Sequence, residues 1–103
     1  MNHNTLNPNR AVAVNIVLIT APDCHFCADG KAVLARLAAH YPLTVREIAW
    51  SSADGQALAA RHGILFPPGL LVDDVFVGFG RVSERKLRRI LERRSTAIAV
   101  QGG

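Results

Sequence analysis

Cysteine is nearly missing from this chain: of 103 residues only Cys24 and Cys27 carry a thiol. No network of disulfides can therefore staple the fold. The pair encloses too short a loop to remove much entropy from the unfolded chain, so it has to be judged on reactivity or metal binding. Long apolar runs are missing as well. None approaches the ~18 residues of a membrane span. Arg10 followed by Ala11–Ala21 has the outline of a secretion signal, but Asn15 interrupts it and cleavage there would remove a strand that the domain needs. His3, His40 and His62 bear no spacing relation to the two cysteines, so no metal site is expected. Ala28, not histidine, follows Cys27, which excludes a haem-attachment motif. Half the residues are hydrophobic and 19% are charged, the balance of one compact domain with a single core.

What is present falls into alternating elements. Residues 1–10 are polar and read as a loose lead-in, residues 11–94 as the domain and 95–103 as an unpatterned tail. Ala11–Thr20 is a β-branched run without clear alternation, which suits a strand covered on both faces. Ala21-Pro22-Asp23 breaks it. A helical pattern then starts at Cys24, with Cys27, Leu34, Leu37, Ala38 and Tyr41 near one stripe, and Tyr41-Pro42 ends it. Leu43–Val45 and Ile48–Trp50 form a second strand. Ser51 to Asp54 opens a short helix that Gly63 caps. Gly69–Val72 and Val75–Val77 are two strands joined at Asp73-Asp74, where aspartates tolerate the left-handed angles of a tight hairpin. Gly78-Phe79-Gly80 breaks the last strand. Ser83 caps a final helix that turns Leu87, Ile90 and Leu91 inward, with Val82 and Leu87 as a staple. The order βαβαββα predicts an α/β fold with a mixed four-stranded sheet flanked by helices.

Two motifs at matching places in that order carry a resemblance. Cys24-His25-Phe26-Cys27 follows a strand, and Phe66-Pro67-Pro68-Gly69-Leu70-Leu71 precedes a hairpin. Over about Val12 to Arg94 the chain resembles the thioredoxin-fold superfamily, and its short lead-in makes it similar to the glutaredoxin-sized members. The resemblance implies thiol–disulfide exchange without a bound cofactor. It also implies a cis bond before Pro68, packed beside the cysteine pair and keeping metal away from it.

Cys24, at a helix mouth, is placed to be the attacking thiolate, because N-terminal N–H groups lower a cysteine's pKa from about 8.5 toward 7. Cys27, deeper on the buried stripe, is placed to resolve the mixed disulfide. Protonated His25 would favour the thiolate, while Asp23 opposes it and Lys31 partly offsets Asp23. Phe26, Phe66 and Pro68 are expected to form an apolar rim for substrate, and His25 and Pro67 complete the candidate binding set.

Three departures qualify the likeness. Leu18 stands where thioredoxins carry a buried aspartate six residues before the first cysteine. Thr20-Ala21-Pro22-Asp23 lacks the lysine that glutaredoxins use toward glutathione. Pro67 has no N–H to offer an extended substrate. The expected partners are a disulfide-containing protein or low-molecular-weight thiol and a possible reductase, with no membrane involvement and a cytoplasmic setting. Seven of the twelve Lys and Arg residues lie between Arg81 and Arg94. Without interleaved aromatics they read as a solvated helix face, and nucleic-acid binding is not expected. The rival readings are a non-catalytic thioredoxin-like binding or redox-sensing module and a metal carrier built on the two cysteines.

Overall fold

The computed structural model describes residues 13–102, with side chains from 13 to 94, so the lead-in expected over residues 1–10 lies outside the described residues. The elements are β1 (Val14–Thr20), α1 (His25–Ala38), β2 (Leu43–Ala49), α2 (Ala53–His62), β3 (Gly69–Val72), β4 (Val75–Phe79) and α3 (Glu84–Gly102). The fold is the α/β arrangement expected: one mixed four-stranded sheet in the order β2-β1-β3-β4, with helices on both faces. β2 runs parallel to β1, whereas β3 runs antiparallel to β1 and to β4. The parallel β1–β2 pair demands a crossover, which α1 provides.

β1 lies inside the sheet, with one face fully buried and the other buried at Ile19. Val14, Ile16 and Leu18 point to one side, where they meet Val33, Leu34 and Leu37 of α1 and Leu87 and Leu91 of α3. Ile19 points to the other side, into a smaller cluster with Ile48, Ala59, Ile64 and Leu71 under α2. Each aliphatic side chain fully buried this way stabilises the fold by about 1.5–3 kcal/mol relative to exposure. No polar or charged residue is buried among the described residues.

Local chemistry sets the ends of the elements. Ser52 Oγ accepts from Gly55 N–H at 3.0 Å, one residue later than the serine singled out in the sequence, and Gly63 closes α2 with φ 68°. Asp73 and Asp74 both take left-handed angles, φ 47° and 68°, and turn β3 directly into β4. Ser83 Oγ accepts from Lys86 N–H at 3.1 Å at the start of α3.

Two boundaries differ from the sequence reading. β4 runs on through Gly78 and Phe79, because a register shift between Leu70 and Leu71 skips Val77 and pairs Gly78 with Leu70 and Phe79 with Gly69. α3 continues through Gly102, over the stretch read as an unpatterned tail. No proline or glycine interrupts residues 95–101, and a helix already nucleated extends at little cost. α1 in turn stops at Ala38, and Tyr41 packs on the core from the connection that follows. Arg36 on α1 donates to Glu84 on α3 at 2.8 Å, and Tyr41 donates its hydroxyl to Glu92. These contacts fix α3 against α1.

Candidate active site

The carboxyl ends of β1 and β2, the amino end of β3 and the first turn of α1 meet at one edge of the sheet. Trp50 N–H donates to Thr20 O at 2.7 Å and closes the β1–β2 end. Gly80 N–H donates to Pro68 O at 2.8 Å and draws the exit of β4 to the segment before β3. Between these two closures lies the connection from Ala21 to Cys24, where Asp23 adopts φ 54° to swing the chain from strand into helix. Aspartate tolerates that left-handed angle better than most residues.

Cys24 is the N-cap of α1, with extended backbone angles, and its Sγ accepts from Cys27 N–H at 3.2 Å. The first turn of α1 holds no acidic residue, so the sulfur serves as its side-chain cap. Cys27 lies one turn inside and is 2% exposed, whereas Cys24 is half-buried. The two are joined as a disulfide, their Cα atoms 5.1 Å apart. Of the two sulfur-bearing residues Cys24 is therefore the more exposed.

The Pro67–Pro68 peptide bond is cis, as the resemblance implies. The Pro67 carbonyl oxygen lies 3.9 Å from Cys24 Sγ. In the disulfide that sulfur has no proton to give, and in the reduced state the same oxygen is within reach of the thiol hydrogen. Pro68 is fully buried, which corrects its assignment to the apolar rim. Pro67 before it is half-buried. The exposed apolar groups here are Phe26 (41%), Phe66 (50%) and Leu65 (76%). Leu65 is no part of the rim expected from the sequence, and nothing in its local pattern marks it as exposed. Phe66 is braced edge-on by Phe79 at a ring separation of 5.0 Å.

The charges around the pair are arranged differently from the sequence expectation. His25 Nε2 lies 3.3 Å from Asp29 Oδ2, one helical turn along, so its positive charge, when present, is shared with that carboxylate. Lys31 is drawn to Glu47 on β2 at 3.3 Å, a carboxylate that also accepts from Thr20 Oγ1. Its ion-pair partner is thus a carboxylate on β2. Leu18 is fully buried and directly opposite Glu47 in the β1–β2 register. The carboxylate on this side of the sheet thus stands on the edge strand, half exposed, rather than beneath the cysteines. His40 is exposed and His62 stacks on Phe76 at 5.2 Å. No group of His, Cys, Asp and Glu able to hold a metal occurs among the described residues.

The sheet order, the crossover α1, the N-capping cysteine with its partner one turn on and the cis-proline before β3 together define a thioredoxin-like fold with a redox-type cysteine pair. Comparison with solved structures agrees. The chain is similar to a single-residue mutant of thioredoxin from Halobacterium salinarum NRC-1, with 26% identity, a TM-score of 0.60, and coverage of 78% of this chain and 73% of that one. It matches the fold of a malarial protein at 14% identity and a TM-score of 0.60, covering 80% of this chain and 97% of that one. No protein-family model matches the sequence, and no curated protein matches it. No helix among the described residues is long and apolar enough to cross a membrane.

Proposed function

We propose that the protein is a thiol–disulfide oxidoreductase in which Cys24 attacks and Cys27 resolves. The observation that carries this reading is the asymmetry of the pair: one sulfur at the helix entrance, accepting a backbone N–H at 3.2 Å, and the other 2% exposed behind it. In the reduced protein the Cys24 thiolate attacks one sulfur of a substrate disulfide, forms a mixed disulfide and expels the other substrate sulfur as a thiolate. Cys27, deprotonated, then attacks Cys24 Sγ, releases the second substrate thiol and leaves the Cys24–Cys27 disulfide. The substrate gains two electrons and the protein loses two. A dithiol, or two molecules of a low-molecular-weight thiol, returns the pair to the reduced state by the same exchange in reverse.

The N–H···S bond and the helix terminus both favour the thiolate over the thiol. With Leu18 buried where a carboxylate could have served as base, the proton of Cys27 leaves to water or to a partner's group. Phe26, Leu65 and Phe66 offer an apolar bed for an extended substrate, and the Pro67 carbonyl offers it one hydrogen-bond acceptor. The setting that suits such a reductant is a reducing compartment such as the cytoplasm.

The experiment is disulfide reduction in a reporter protein such as insulin, with dithiothreitol as electron source. The wild type should turn over, Cys24→Ser should be inactive, and Cys27→Ser should accumulate a mixed disulfide through Cys24. A wild type no faster than dithiothreitol alone would leave a non-catalytic module in its place.

A further inference from the structure

We propose that Arg81, Arg85, Arg89 and Arg93 form a track for an acidic, extended segment flanking the disulfide of the partner protein. This rests on the exchange reading above and adds the class of substrate.

The track arises from how α3 uses its charges. Leu87 and Leu91, each 1% exposed, fix the buried side of the helix. Both carboxylates of the described part of α3 are engaged on the side facing α1. Glu84 takes Arg36 at 2.8 Å and Arg88 at 3.2 Å, and Glu92 accepts from Tyr41. On the other flank Lys86 Nζ donates to Val77 O at 3.3 Å, and Arg94 pairs with Asp73 at 2.9 Å. Arg81, Arg85, Arg89 and Arg93 are left exposed, and none of them pairs with a carboxylate among the described residues. The last three recur every fourth residue on the face opposite Leu87, spaced about 6 Å along the axis. Alternate side chains of an extended chain are spaced by nearly the same amount, about 6.6 Å. An extended segment with Asp or Glu at every second position therefore meets one arginine after another.

The track begins beside Phe66 and Pro68. Arg81 follows Gly80, whose N–H holds Pro68 O at 2.8 Å and whose Cα faces the Phe66 ring so closely that a Cβ there would lie 3.2 Å from it. Arg81 and Arg85 then line the cleft between α1 and the start of α3, together with Asp29, Arg36 and Glu84. A chain leaving the apolar bed at Phe66 is thus led onto the basic face. That continuity, with no aromatic residue between Arg81 and Arg94 to stack a base, favours a polypeptide over a nucleic acid.

The test uses two peptides with the same internal disulfide, one carrying an arm with Glu at alternate positions and the other with Gln at those positions. Single-turnover reduction by the fully reduced protein is followed at about 0.02 M and about 0.5 M salt, where screening differs severalfold. Three exposed ion pairs of ordinary strength give the acidic peptide an advantage of about tenfold at low salt. That advantage should vanish at high salt and in the triple variant Arg85→Gln/Arg89→Gln/Arg93→Gln, while the Gln-arm peptide reacts equally with both proteins. Equal rates for the two peptides with the wild type would overturn the track and leave the exchange reading standing. Failure to reduce either peptide would overturn the exchange reading and the track with it. Inhibition by single-stranded DNA at charge concentrations where free poly-Glu gives none would assign the face to nucleic acid and overturn the proposal.

Discussion

Replacing Pro67 with threonine should strengthen substrate docking, because the native residue offers an extended chain only half of a backbone pairing. The Pro67 carbonyl faces the site 3.9 Å from Cys24 Sγ, but the ring nitrogen carries no hydrogen. A substrate strand lying along Leu65 to Pro67 can donate one N–H there, and its own carbonyl finds no protein donor. With Phe66 half exposed the bed is open enough for water to reach that carbonyl, so the loss lies near the net value of a hydrogen bond and not near the full desolvation penalty. That value is about 0.5–1.5 kcal/mol, equivalent to about two- to thirteenfold in affinity. The assay is titration of an extended disulfide peptide onto the oxidised protein, or its kcat/KM with the reduced one, for wild type and Pro67→Thr. A small aromatic disulfide without a peptide backbone serves as control and should react equally with both. Unchanged peptide affinity, with the variant's thermal unfolding showing that it is folded, would refute the half-pairing argument.

Two further outcomes test the framework around the site. Leu18→Asp places a carboxyl where the leucine is fully covered and no polar residue is buried nearby, and should cost about 3–5 kcal/mol. Burial raises that group's pKa, so the folded state binds more protons and the loss should shrink as pH falls toward about 4. Chemical denaturation at two pH values checks this, and a loss independent of pH would contradict it. Second, the hydrogen bond from Arg36 holds the Glu84 carboxyl below its ordinary value of 4.5. A depressed carboxylate stabilises the fold above the unfolded value and loses that contribution as pH falls through the folded one. The stability gap between wild type and Arg36→Gln should therefore be present at neutral pH and close below pH 4.5. A gap of constant size would show that Arg36 acts through packing alone.

Much of the fold was readable because local chemistry and hydrophobic pattern agree. Asp73-Asp74 announces a left-handed two-residue turn, Gly63 a helix end and Ser83 a helix start, and each does that here. The α1 stripe was readable from Cys27, Leu34 and Leu37, although Gly30 and Val33 complete it and Ala38 turns outward. What stayed hidden depends on neighbours distant in sequence. The register that carries β4 through Gly78 is set by β3, and nothing in Gly78-Phe79-Gly80 alone reveals it. The same holds for the pairings of His25 with Asp29 and Lys31 with Glu47. Spacing placed these residues near the cysteines but left open which carboxylate each would choose. The cis bond before Pro68 followed from the resemblance, whereas the full burial of Pro68 is not written in the two prolines alone.

The central claim is that Cys24 is the accessible, easily ionised sulfur and Cys27 the shielded one. It is tested most directly by alkylating the reduced protein with iodoacetamide across a pH series and locating the label by mass. The account expects Cys24 to be labelled first, with a midpoint well below the free-cysteine value of about 8.5, while Cys27 stays protected in the folded protein. Labelling of both sulfurs at one rate, with midpoints at the free-cysteine value, would contradict it.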